Sequence, residues 1–267
     1  MKLTDAQMKH FDEQGYIFLP DWFSPEEVAL MKRETNAIYA QRRPENVRER
    51  TGDVVRTAFA CHTYNPVFEA LVHHPKFVEP GEQMLGDRMY IHQFKINGKA
   101  AFDGDVWQWH QDYGTWKADD DMPTSRAMNL AVFLDEVNEF NGPLWFIPKS
   151  HKKGAIEASH DLSTTSYPLW VIDNDLIRQL VAQGGIVAPK GGPGSALFFS
   201  STLVHGSPPN MSPWDRKIIY VSLNAVSNAI RSFKRPDYIA HRDFTPVDAW
   251  SDDCLIKAGE PRRQAAE

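Results

Sequence analysis

The sequence predicts a mainly β protein with flanking helices, and three observations carry that expectation. From residue 87 onward the chain reads as short apolar or period-two runs punctuated by Gly, Pro, Asn and Asp, the signature of many short strands closed into a sandwich or barrel. Helical patterns are confined to the N-terminal stretch and to a segment near 173–183. No internal repeat, low-complexity block or composition shift divides the 267 residues, so one unit is expected: a mostly helical flank over 1–86, a strand-rich core over 87–226 and an extension over 227–267.

Taken in order, Thr4 caps a short helix running to about Glu13, Gly15 stops it, and YIFLP follows as an apolar strand. Ser24-Pro25-Glu26-Glu27 is a capping box with proline at the first helical position, opening a helix that turns Val28, Leu30, Met31 and Ile38 inward. Residues 41–57 are polar, charged and aperiodic, which reads as a loop, either an active-site lid or a plain solvated connection. The strands expected next are RMYIHQFKI, VWQWHQD, RAMNLAVFL, GPLWFIP, GGIVAP, GSALFFS, STLVHG and RKIIYVSLNAV. After Val226 the pattern becomes mixed polar and aromatic and ends in a charged tail expected to fray.

Composition narrows the function classes. A net charge of −6 with acids and bases interleaved leaves no basic stripe for a phosphate backbone, so nucleic acid is not the expected partner. No signal-like N-terminus and no long apolar run is present, and Cys61 and Cys254 stand apart in no metal-binding spacing; a cytoplasmic protein with two free thiols, off the membrane and monomeric or homodimeric, is expected.

Three His-x-Asp triplets occur, at His10, His110 and His241. Residues i and i+2 share a face on a strand but diverge on a helix, which sets aside His10 with Asp12. His241 and Asp243 lie in the tail and are read as structural. His110 and Asp112 end the run VWQWHQD, where an imidazole and a carboxylate would face one way. Two histidines and one carboxylate hold one triangular face of an octahedral Fe(II) and leave three positions open. His205, between an apolar strand and a Gly/Pro turn, is the best third ligand; His62, His73, His74, His92 and His160 are placed less well. Such an iron centre needs electrons from a co-substrate, and the distal carboxylate of 2-oxoglutarate needs a fixed cation. Arg216, 11 residues beyond His205, can fold back beside it on a hairpin, and its planar fork matches a carboxylate bidentately; the competing reading pairs it with Asp215 at the surface.

Together, the stretches GYIFLPDWFSPEEV, IHQFKIN, WHQDYGTWKADDDMPTSRAMN, NGPLWFIPKSHKKG and FFSSTLVHGSPPNMSPWDRK resemble the phytanoyl-CoA dioxygenase superfamily, nearest to the ectoine hydroxylases and other bacterial hydroxylases of small metabolites. The resemblance covers most of residues 8–226. It implies a double-stranded β-helix (jelly-roll, cupin-like) core with the metal triad in one mouth. It further implies that Gln93, Asn97, Asn129, Ser207 and Arg216 contact 2-oxoglutarate and that Tyr113, Trp116, Phe199 and Tyr220 lie on the substrate side.

The same resemblance implies an Fe(II) enzyme that consumes O2 and 2-oxoglutarate, releases succinate and CO2, and hydroxylates an unactivated C–H bond; related halogenases lack the carboxylate that Asp112 supplies. Ectoine hydroxylases carry an arginine where this chain has Lys95, an acidic residue at the place of Gly114 and a glycine at that of Lys149. The expected substrate is therefore another small polar or zwitterionic metabolite, amino-acid-like or an aminoalkylphosphonate, with Lys95 offering it a point charge. The alternatives from other classes are a metal-dependent hydrolase or isomerase and a non-catalytic binding protein on a cupin-like barrel.

Overall fold

The computed structural model describes residues 1–50, 53–165 and 167–260; the charged tail and the tip of the 41–57 segment lie outside the described residues. Helix α1 (Asp5–Gln14) starts on a reciprocal Thr4/Gln7 capping box and ends at Gly15, whose φ of 85° is the left-handed conformation glycine adopts without strain. Strand β1 (Tyr16–Leu19) follows, then α2 (Pro25–Tyr39), which opens on the Ser24/Glu27 box and buries Val28, Met31 and Ile38; Leu30 is half-buried against the same core.

The 41–57 segment is not a plain loop. It contains β2 (Asn46–Arg48), and its end enters β3 (Val55–Phe59). These strands extend the main sheet because the polar side chains there have buried partners: Arg56 is 1% exposed and paired with Glu49, and the Thr57 hydroxyl donates to Asn97. Two helices, α3 (Pro66–Val72) and α4 (Pro75–Leu85), each with proline in the first turn, complete the N-terminal flank.

The core then builds β4 (Met89–Lys99), β5 (Trp107–His110), α5 (Asp112–Asp120), β6 (Ala127–Phe133), β7 (Trp145–Phe146), β8 (Ser159–Asp161), β9 (Leu169–Val171), α6 (Asn174–Gly184), β10 (Ala196–Ser200), β11 (His205–Ser207) and β12 (Arg216–Ala225). A short α7 (Cys254–Gly259) lies near the end. GGIVAP forms no strand. It makes a single bridge instead, Val187 to Phe146, and Gly191 just beyond it bridges Val137.

All strand pairs are antiparallel. The large sheet runs β1-β10-β6-β12-β4-β3-β2 and the small one β5-β11-β7, with β8-β9 as a separate pair. The inward faces of β6, β10 and β12 meet β7 through Phe133, Phe199, Tyr220 and Phe146. The outward face is covered by α2, α3 and α4 through Met31, Phe68 and Phe77. This is the facing-sheet jelly roll of a double-stranded β-helix. Among the described residues no helix is long and apolar enough to cross a membrane.

Candidate active site

His110 and His205 are direct cross-strand partners in the β5/β11 pair, so the sheet register alone sets the two imidazoles side by side, ring centroids 4.1 Å apart. Each ring is fixed from behind: His110 Nδ1 lies 2.6 Å from the Gln108 carbonyl and His205 Nδ1 3.0 Å from the Leu203 carbonyl. A carbonyl can only accept, so both Nδ1 atoms carry the proton and both Nε2 atoms present a lone pair inward.

Asp112 completes the group, but from a helix. Strand β5 ends at His110, and Asp112 is the first residue of α5. The residues expected to meet do so through a strand-to-helix turn, with Asp112 oxygens 3.7 Å from His110 Nε2 and 3.5 Å from His205 Nε2. The three ligand atoms all lie within 4.8 Å of one another.

Electrostatics suit a dication. Burial, reinforced by the neighbouring imidazole, pushes His110 down to about 3, and burial lowers His205 as well. Burial alone would raise Asp112, but Lys95 and the two histidines outweigh it and hold the carboxyl at about 2. Two neutral imidazoles and one carboxylate, all buried, are the donor set of the facial triad that holds Fe(II).

The triad opens into a cavity lined from both sheets. Four inward residues of β4 run along it at period two. Gln93, Lys95 and Asn97 line the cavity, and Lys99 continues the row as the register partner of Arg216. Arg216 is 1% exposed, and its Nε and Nη1 have no hydrogen-bond partner. It does not take Asp215, whose carboxylate receives Lys217 and the Ala101 amide instead. The Ser207 hydroxyl, buried in the same cavity, is also without a partner. A buried guanidinium with unpaired nitrogens, lining one cavity with an unpaired hydroxyl, fits a carboxylate.

Trp116, Phe199 and Tyr220 line the cavity, Phe199 with its ring 5.0 Å from His205. Two residues fall elsewhere. Asn129 does not reach the cavity: its amide donates to Asp112 at 2.6 Å and its oxygen accepts from Ser222, so it braces the carboxylate. Tyr113 faces Met122, Ile230 and Ala240, and its hydroxyl points to the Met122 and Pro123 carbonyls.

The differences at Gly114 and Lys149 also resolve physically. A Cβ on Gly114 would meet nothing within 4 Å. Lys149 sits at φ 68° with an exposed side chain, a backbone position that favours glycine whatever the substrate.

Sequence reasoning missed Thr115, Tyr167 and Arg235, which line the cavity, and Lys99. Lys99 was legible as the next step of the β4 period. Its ammonium is buried, donates to the Asp105 and Pro208 carbonyls at 2.5 Å each, and is pushed well down by burial and by Arg216. Arg235 comes from the aperiodic stretch after β12, where no pattern marks an inward residue.

The phytanoyl-CoA dioxygenase (PhyH) model matches residues 11–218. An ectoine dioxygenase of Halomonas elongata is 34% identical over 266 residues, 94% of this chain and 79% of that protein. An L-proline trans-4-hydroxylase of Streptomyces griseoviridis is 33% identical over 255 residues, 92% of this chain and 95% of that one. The crystal structure of EctD from S. alaskensis with 2-oxoglutarate and 5-hydroxyectoine superposes with a TM-score of 0.82 at 33% identity, covering 92% of this chain and 86% of EctD. With its matching fold and its buried His-Asp-His group, the chain belongs to the phytanoyl-CoA dioxygenase family.

Proposed function

We infer that the protein is an Fe(II)- and 2-oxoglutarate-dependent dioxygenase that hydroxylates a small zwitterionic metabolite. The observation that carries this reading is the coincidence in one cavity of a three-ligand metal group with a buried guanidinium that has two unpaired nitrogens. A hydrolytic metal centre has no use for the second element. Iron held by His110, Asp112 and His205 supplies oxygen activation coupled to decarboxylation of 2-oxoglutarate to succinate and CO2.

The chain's own residues do the rest. Arg216 and Ser207 grip the distal carboxylate of 2-oxoglutarate. The Gln108 and Leu203 carbonyls keep both histidines in the metal-binding tautomer, and Asn129 aims Asp112. Aromatic walls exclude water and leave room for a small molecule.

Substrate choice falls to Lys95 and Arg235, the cavity cations not turned toward 2-oxoglutarate. Lys95 lies 4.0 Å from an Asp112 oxygen, a partner it must share once the carboxylate binds metal, which frees it to receive an acidic group. An amino acid or an aminoalkylphosphonate supplies that group together with an amine.

The test is succinate release, dependent on both O2 and substrate, over a panel of small amino acids, cyclic imino acids, betaines and aminophosphonates. His205→Ala should abolish iron binding and turnover together. Turnover that ignores O2 and 2-oxoglutarate would identify a hydrolase or isomerase instead.

A further inference from the structure

After β12 the chain runs back as a strap, residues 229–247, with no regular helix or strand, lying against β4 and α5 and sending Arg235 into the cavity lining. Segments without their own hydrogen-bond ladder need external anchors. This strap has one dominant anchor, Asp120, the last residue of α5. The Asp120 backbone carbonyl accepts from the Arg231 and Ser232 amides at 3.1 and 2.9 Å. Its carboxylate, fully buried, receives Arg235 Nε at 2.8 Å and Nη2 on the other oxygen, while His92 Nε2 lies 3.2 Å away.

The rest of the seating is spread over single contacts. Gln93 donates to the Ile239 carbonyl, the His241 amide bonds to the His92 carbonyl, and Ile230 and Ala240 pack on Tyr113 and Trp116 of α5. The helix that begins at metal ligand Asp112 therefore ends, roughly 12 Å away at about 1.5 Å per residue, at the group that holds the strap.

We propose that Asp120 is a positioning residue: it seats the 229–247 strap against α5 and holds Arg235 in the cavity, where that cation receives the acidic group of the substrate. The proposal rests on the dioxygenase reading for its second half only. Arg235 with its charge balanced by Asp120 still turns part of its guanidinium to the cavity it lines, so the pair keeps a buried cation in place at low electrostatic cost and leaves donors for a ligand. Without Asp120 the same arginine would have to leave for water, taking the strap with it.

The experiment compares the full-length, iron-loaded protein with Asp120→Asn, a change that keeps shape and removes charge. Amides of 231–247 should exchange with deuterium at least about tenfold faster, while those of β4 and β12 are unaltered. With the acid that supports succinate release, its KM should rise about tenfold or more while the KM for 2-oxoglutarate stays within about twofold. Arg235→Gln, which leaves α5 intact, approaches the same contact from the strap and covers the case in which Asp120→Asn does not fold. Unchanged strap exchange in the folded variant overturns the seating. A loosened strap with both KM values rising together overturns the role of Arg235. If the wild-type protein releases no succinate with any acid, the dioxygenase reading falls and the Arg235 half with it, and strap exchange alone then decides whether Asp120 is the anchor.

Discussion

Replacing Arg216 by methionine should produce two effects of opposite sign. Hydrogen bonds to a charged group contribute about 1.5–3 kcal/mol each. The two unpaired nitrogens of Arg216 therefore offer 2-oxoglutarate about 3–6 kcal/mol, and losing them should raise its KM between about 100- and 10,000-fold.

In the ligand-free protein the same arginine is a buried cation close to Lys99, register partner on the adjacent strand, so the methionine variant should be as stable as the wild type or up to about 2 kcal/mol more stable. Melting curves under anaerobic conditions read both. The wild type should gain about 2.7 kcal/mol at 2-oxoglutarate concentrations near 100 Kd, and the variant at most about 0.4 kcal/mol at the same concentration. Arg216→Lys, which keeps charge and loses the fork, should fall between. A variant that retains the wild-type response to 2-oxoglutarate, or whose ligand-free form is destabilised by several kcal/mol, would refute the argument.

Three further outcomes are expected. Asn129→Ala removes the 2.6 Å bond to Asp112 and should weaken metal affinity about 10- to 100-fold, read by metal titration, with little change in the 2-oxoglutarate requirement of the loaded enzyme. Glu27 is buried, and although burial alone would raise its pKa, hydrogen bonds from His74 and Lys76 hold it at about 2. In the unfolded chain it protonates at a higher pH, so its stabilisation, of order 2–3 kcal/mol, is complete above about pH 4.5 and fades as pH falls toward about 2. The melting-temperature gap between the wild type and Glu27→Gln should close over that interval. Gly114→Ala, inside α5 with open space at its Cβ and no positive φ, should stabilise by about 0.5–1 kcal/mol in a denaturant titration.

Much of this molecule could be read from its residues because the signals were local. Both N-terminal capping boxes formed, and β4, β6, β10 and β12 follow apolar runs that end at turn residues. Helix α5 was illegible for an equally local reason. Its N-cap, Gln111, makes no side-chain cap, so nothing announced a helix start, and the run into Asp112 looked like continued strand. The triad residues meet even so, since a single residue between His110 and Asp112 can turn the corner that a strand would have kept straight.

The 41–57 segment misled through its charge. Arg56 and Glu49 neutralise one another inside the protein, which no composition count can anticipate. Tyr113 and Asn129 carried the right neighbourhood and the wrong facing. Side-chain direction at those positions is decided by what lies behind the metal group, the strap in one case and Ser222 in the other.

The order of the large sheet has a bearing on how its edges are protected from pairing with other chains. One edge is β1, four residues long, and the other is β2, three residues long, where Arg42 and Arg48, the last residue of the strand, both pair with Asp53. Short, charged margins give a neighbouring chain little backbone to pair with. Inside the β1 margin lies β10, whose ALFFS run is uncharged and almost wholly buried. A chain shortened past Leu19 would uncover that run as a ready template for intermolecular pairing, so trimming the first twenty residues should promote aggregation before it touches the metal chemistry.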